Sequence, residues 1–229
     1  MDTDPYYRRV QDAVYKDFAK TYFDSNDEER IIKELKDTSS SMYRHRHLHG
    51  LKPPLISEEC YTTISDTFPD ILDDRIDAIL ETHTKDFYNT SPDLYPEAIK
   101  FLDSLSEINH VKHIFGATDA QEDWSKIKAE YILKNTKLNE FPYFATDLRM
   151  RKNPEWWLSI FSNLHTKPEN ILIIGDNYYA DVYSSLLAGV KHAIWLNRYR
   201  RSMEDFNEYP LPKDAEVIVV NSLDEIQEL

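Results

Sequence analysis

The chain has 229 residues, 41% of them hydrophobic and 30% charged, and a formal net charge of −14. That composition fits one soluble globular domain, or a core domain carrying an inserted one, and excludes a surface broadly attractive to DNA, RNA or anionic lipid. Cys60 is the single cysteine, no run of about 18 apolar residues could cross a membrane, and the start Met1–Pro5 is polar rather than signal-like; a reducing cytoplasm is the expected compartment.

The first elements read as helices. Val10, Val14 and Phe18 recur every four residues, with Asp4 placed to cap and Pro5 suited to a first turn. Ile31, Ile32 and Leu35 predict a second helix. Ser39 through Gly50 is polar and basic and reads as a solvated loop, broken by Lys52-Pro53-Pro54. Its His45, His47 and His49 alternate, which on a strand would put all three on one face and open a weak metal-binding reading. Ile71, Ile76, Ile79 and Leu80 predict another helix, and no strand is evident before about residue 110.

The second half alternates between the two periods. Helices are predicted for 96–105, 124–133, 156–164 and 181–187, the last ended by Gly189. Strands are predicted for 111–117, 143–145, 171–174, 193–196 and 217–220. Strands alternating with helices imply βαβ units and a mainly parallel sheet.

The sharpest local feature is Ile171-Leu172-Ile173-Ile174-Gly175-Asp176-Asn177, with Asp181 following. A buried parallel strand delivers its next residues to the carboxyl edge of the sheet, where α/β sites form. Gly175 permits a sharp turn, and Asp176 is a hard oxygen ligand suited to Mg²⁺. Acidic caps in an ordinary strand-turn-helix would read the same way.

This segment resembles the fourth motif of the haloacid dehalogenase superfamily, in its phosphoglycolate phosphatase-like and β-phosphoglucomutase-like branch. Lys152-Asn153-Pro154 resembles the family's lysine-proline motif, and Ile114 through Asp119 its second motif. Ser91 through Pro96 is similar to the segment that re-enters the core after the cap, and Ala215 through Ile226 to the closing strand and helix. The resemblance covers residue 91 to the end. It implies an α/β fold with a Rossmann-like parallel-sheet core in three αβα layers (91–229), and an inserted all-helical cap domain (1–90). By resemblance Thr118 and Lys152 would hold the transferring phosphoryl group beside Asp119, with Asp176 on Mg²⁺ and Asp181 as a second acid of the site. Arg44 and Arg46, in the one basic cluster of an acidic chain, are candidates for a second anionic group of a substrate. The implied activity is a Mg²⁺-dependent phosphatase of small phosphorylated metabolites, acting on neither nucleic acid nor membrane; a dehalogenase is a further option.

The family's nucleophile stands on a first core strand, in an Asp-x-Asp-x-Thr motif. Two alignments are open. Asp2-Thr3-Asp4 is itself that pair, or Met1-Asp2-Thr3 falls just after it and the strand is missing. A buried strand of about five residues should precede the pair, which favours the second alignment. On that alignment the chain is expected to be inactive as it stands, either a truncated enzyme or a non-catalytic protein that binds phosphorylated ligands. A partner or an N-terminal segment would then be expected to complete the sheet, because bare strand edges invite aggregation.

Overall fold

The computed structural model describes residues 3–48, 51, 54–146, 151–198, 202 and 206–228. The chain divides into two compact units, one of residues 1–49 and 53–93 and one of residues 50–52 and 94–229.

The first unit is helical: α1 (Thr3–Tyr22), α2 (Glu28–Leu48), α3 (Ile56–Thr67) and α4 (Asp74–Thr84), then a short 3₁₀ turn at Phe87–Asn89. Each helix turns one apolar stripe inward. Val14, Tyr15, Phe18 and Ala19 of α1 meet Ile31 and Leu35 of α2, Ile56, Cys60 and Ile64 of α3, and Ile76 of α4, all at 1% exposure or less. Asp73 caps α4 by accepting from the Arg75 amide at 2.9 Å.

The expected loop at 39–50 is corrected. Its described residues continue α2 to Leu48, so His45 and His47 lie on a helix. The shared-face reading required a strand, and the backbone here is helical. His49 falls outside the described residues.

The second unit is the α/β part. Strands β1 (Gly116–Thr118) and β2 (Tyr143–Ala145) form one parallel ladder. Strands β3 (Leu172–Gly175), β4 (His192–Leu196) and β5 (Glu216–Val220) form a second, also parallel and paired in chain order. Helices α5 (Pro96–Ser106), α6 (Glu122–Asn135), α7 (Pro154–Asn163) and α8 (Ser184–Leu187) connect them. Two cores cover opposite faces of β3. Ile173 joins Trp157, Phe161, Val182, Leu186 and Trp195 on one side. Ile174 packs with Ala98, Phe101 and Leu223 on the other. That is a three-layer αβα arrangement.

Two elements differ from expectation. Val111 through Phe115 are not in a strand; β1 is three residues long, as is its single partner β2. A ladder extends only as far as a neighbour accompanies it. The helix expected from Asp181 begins earlier, as a wide π-helical turn over Tyr178–Tyr183 that runs into α8. There the Ser184 amide bonds the carbonyl of Tyr179, five residues back. Among the described residues no helix is long and apolar enough to cross a membrane.

Candidate active site

Lys152 precedes α7, whose start is fixed locally. Asn153 accepts from the Trp156 amide at 2.8 Å, and Pro154 occupies the first turn. The residue before this cap is held on the edge of the sheet. Lys152 is 6% exposed, and its Nζ donates to the Ala117 carbonyl at 3.2 Å and to Oδ1 of Asp181. Its amide donates to Oδ1 of Asp119 at 3.0 Å.

Asp181 is as deeply buried. Its second oxygen, Oδ2, accepts from the Asn177 amide at 3.0 Å, just beyond the end of β3. The π-helical turn that carries it is capped by Asn177, which accepts from the Ala180 amide at 3.0 Å. Trp157 Nε1 holds the Ala180 carbonyl at 2.9 Å. Burial lowers the proton affinity of the Lys152 ammonium, but Asp181 and Asp119 outweigh it and the net pKa is raised. Burial pushes the Asp181 carboxyl up, against the pull of Lys152.

Thr118 ends β1. Its hydroxyl accepts from the Ala120 amide at 3.0 Å, folding the chain back at the sheet edge. Asp119 lies within 3.6 Å of Arg151 Nε and within 3.5 Å of the Thr146 hydroxyl that follows β2. The carboxyl ends of β1, β2 and β3 therefore converge on Lys152, bringing Thr118, Asp119, Lys152 and Asp181 together.

Asp176 is different. Its carbonyl accepts from Trp195 Nε1 at 3.2 Å, but its side chain is exposed and makes no ion pair or side-chain hydrogen bond among the described residues. No group of three His, Cys, Asp or Glu side chains among the described residues is arranged to hold a metal. Mg²⁺ does not need one: it takes one or two carboxylates and fills its other positions with water and substrate oxygens. Asp176 fits that pattern.

Lys128 is a site residue that the sequence reading missed. Its ammonium lies 3.5 Å from the Trp124 ring centroid, one helical turn back on α6. Burial, and then Lys152, lower its pKa to about 8, against the opposing pull of Asp176. The Trp-x-x-x-Lys spacing was the visible signal, although it carries no family motif.

Arg44 and Arg46 belong to the helical unit. Arg44 is exposed on α2. Arg46 is turned onto Glu59, 3.3 Å from its Oε2, so its charge is already paired. Glu59, 3% exposed, also accepts from Tyr7 at 2.9 Å, Gln11 at 3.0 Å and Ser39 at 3.2 Å. The side chains of Asp2 and Asp4 lie outside the described residues.

No family model and no curated protein match the sequence. Solved structures do match. The HAD-hydrolase YfnB of Bacillus subtilis, bound to magnesium, is 14% identical with a TM-score of 0.68, over 100% of this chain and 92% of that one. A haloacid dehalogenase-like family hydrolase of Xanthomonas campestris is 12% identical with a TM-score of 0.62, covering 97% and 88%. A 2-haloacid dehalogenase of Pseudomonas syringae pv. Tomato is 15% identical with a TM-score of 0.56, covering 99% and 91%. The chain has the fold of the haloacid dehalogenase-type hydrolases, a parallel-sheet α/β core with a helical unit.

Proposed function

We propose that this chain is the phosphate- and metal-binding body of a Mg²⁺-dependent hydrolase acting on small phosphorylated metabolites. The observation that carries the reading is Lys152, a buried ammonium fixed between the end of β1 and Asp181, beside the exposed carboxylate of Asp176. Phosphoryl transfer asks the protein for charge neutralisation and alignment more than for covalent chemistry. Lys152 and Lys128 would supply positive charge, and the Thr118 hydroxyl a hydrogen bond to a phosphoryl oxygen. Asp176 would hold Mg²⁺, which when bound neutralises phosphate charge. The magnesium bound to the similarly folded YfnB supports the choice of metal.

A second reading has its own observation. Asp119 and Asp181 are both engaged with protein groups, so neither is a free nucleophile beside Lys152. A protein that binds a phosphorylated ligand without cleaving it would look the same.

One experiment separates them. Inorganic phosphate and a panel of phosphomonoesters are titrated calorimetrically with and without Mg²⁺, and phosphate release is followed in parallel for the wild type and Asp176→Asn. Binding that strengthens with Mg²⁺ and weakens about tenfold in Asp176→Asn, the loss of one charged contact, supports the site. Release that disappears in the variant identifies an enzyme and makes Asp2 or Asp4 the nucleophile to test. Binding without release supports the binder, and no Mg²⁺-linked binding rejects both readings.

A further inference from the structure

Strand β5 ends the three-stranded ladder, and its backbone sorts its polar groups by parity. The Glu216 amide donates to the Lys191 carbonyl at 2.9 Å, and the Val220 carbonyl accepts from the Asn197 amide at 2.7 Å. Even residues of β5 therefore face β4, in the register that sets Ile218 beside Ile194. The N–H and C=O groups of Val217 and Val219 point outward, and no hydrogen bond among the described residues takes them up.

Such an edge is ordinarily guarded by lysine, proline, a bulge or a covering loop. Residues 216–220 read Glu-Val-Ile-Val-Val, without lysine or proline, and their register with β4 is unbroken. Ile218 is 36% exposed and Val219 46% exposed, on opposite faces of the strand. The edge thus offers an apolar side chain on each face and unpaired main chain between them.

The neighbouring amides fix how another strand can join it. The Ala215 amide already donates to the Pro212 carbonyl at 3.1 Å, and the Asn221 amide to Oε2 of Glu225 at 3.2 Å. Only Val217 and Val219 are left to pair. A second β5 running antiparallel and centred on Ile218 uses both and calls on neither engaged amide. Val217 of each copy then stands opposite Val219 of the other and exchanges both N–H···O bonds with it. Ile218 meets Ile218 of the second copy in the closer, non-hydrogen-bonded spacing. Centring on Val217 would need the Ala215 amide, and centring on Val219 the Asn221 amide.

Charge selects the same register. It sets exposed Lys213 opposite Leu223 of the second copy, next to the exposed Asp224 and Glu225, and symmetry repeats the contact. Glu216 falls opposite Val220 and Asp214 opposite Ser222, so no like charges are apposed.

We infer that β5 is a self-association edge, through which two copies of this chain pair antiparallel by Val217 and Val219 about a two-fold axis at Ile218. A five-residue strand buries less than the ~1,200 Å² of a standard interface, and the net charge of −14 opposes association. The dimer is therefore weak and reversible. The inference does not depend on the hydrolase reading, and its test contains neither Mg²⁺ nor phosphate.

Sedimentation equilibrium of the full chain tests it, from about 10 µM to about 1 mM, in about 0.15 M salt to screen the overall repulsion. A monomer–dimer equilibrium is expected. Val219→Pro removes an outward N–H and leaves the ladder to β4 whole, so it should abolish the dimer in a sample that still unfolds cooperatively. Lys213→Glu should weaken the dimer about tenfold, and adding Asp224→Lys and Glu225→Lys should restore it. These three positions are exposed, so the charge swap decides the matter even where the proline variant does not fold. Amide exchange at Val217 and Val219 should slow as concentration rises. A chain that stays monomeric throughout overturns the inference. So do a dimer indifferent to Val219→Pro, a charge swap that restores nothing, and concentration-dependent protection confined to other amides.

Discussion

Gly175 and Asp181 are fitted to each other: a Cβ on residue 175 would lie 2.3 Å from the Cβ of Asp181 and 2.5 Å from its Oδ2. The glycine at the end of β3 is required by this close approach, since a real Cβ is essentially never that near another atom. Bringing the carboxylate so close to the strand end lets it accept from the Asn177 amide and still reach Lys152.

Gly175→Ala should therefore displace Asp181 and destabilise the α/β unit by roughly 1–3 kcal/mol, the ordinary cost of overpacking. Urea unfolding with a tryptophan fluorescence readout measures it. A loss below about 0.5 kcal/mol would show that Asp181 moves aside without resistance.

Breaking the Lys152–Asp181 pair from one side leaves a buried charge alone. Lys152→Met should cost about 3–5 kcal/mol, and Lys152→Met with Asp181→Leu should recover much of it, because the orphaned carboxylate is gone. A double variant as unstable as the single one would mean that packing, not charge, sets the loss.

Asp176→Asn is expected to behave oppositely. Its carboxylate pairs with nothing among the described residues, so metal-free stability should stay within about 0.5 kcal/mol of wild type. The rise in melting temperature on adding Mg²⁺, expected from ligand linkage, should vanish. Persistence of that rise would place the metal elsewhere.

Lys128 makes stability depend on pH. Its folded pKa of about 8 lies below the ordinary 10.5, because burial and Lys152 disfavour the charged form. Below pH 8 it is protonated folded or unfolded, and the full penalty applies. Above pH 8 the folded state sheds the proton first, so this group's penalty shrinks as pH rises toward 10.5. Lys152, with its pKa raised, keeps its stabilising charge throughout that window. Wild type should thus gain stability relative to Lys128→Met between pH 7.5 and 9.5, and ¹³C-methylated Lys128 should titrate near 8. A flat difference would remove Lys128 from the site.

Much of the α/β half was legible because its signals are local. Ile171 through Gly175 is an apolar run with a turn residue, and Asn153-Pro154 is a helix start; both form where their residues imply. The grouping of Thr118, Asp119, Lys152 and Asp181 was legible through motif order rather than periodicity. What failed was long-range. The basic stretch at 39–48 reads as a loop because it is polar and runs into the break at Lys52-Pro53-Pro54. It is helical because the Ser39 hydroxyl and the Arg46 guanidinium bond Glu59 on α3, a partner twenty and thirteen residues away in sequence. The shortness of β1 was hidden for a similar reason, since strand length depends on which neighbours accompany it. Lys128 faces Lys152 and Asp176 only once α6 has folded back.

The wide turn over Tyr178–Tyr183 also bears on insertions and deletions. A π-helical turn holds roughly one residue more than an α-helical one, and each helical residue advances the side-chain direction by about 100°. Deleting one residue within it would regularise the helix without touching any site side chain by name. Yet it would rotate everything after the deletion, withdrawing either Asp181 from Lys152 or Leu186 from the core beside Ile173. This stretch should accept many substitutions at its half-buried tyrosines, Tyr179 and Tyr183, while tolerating no change in its length.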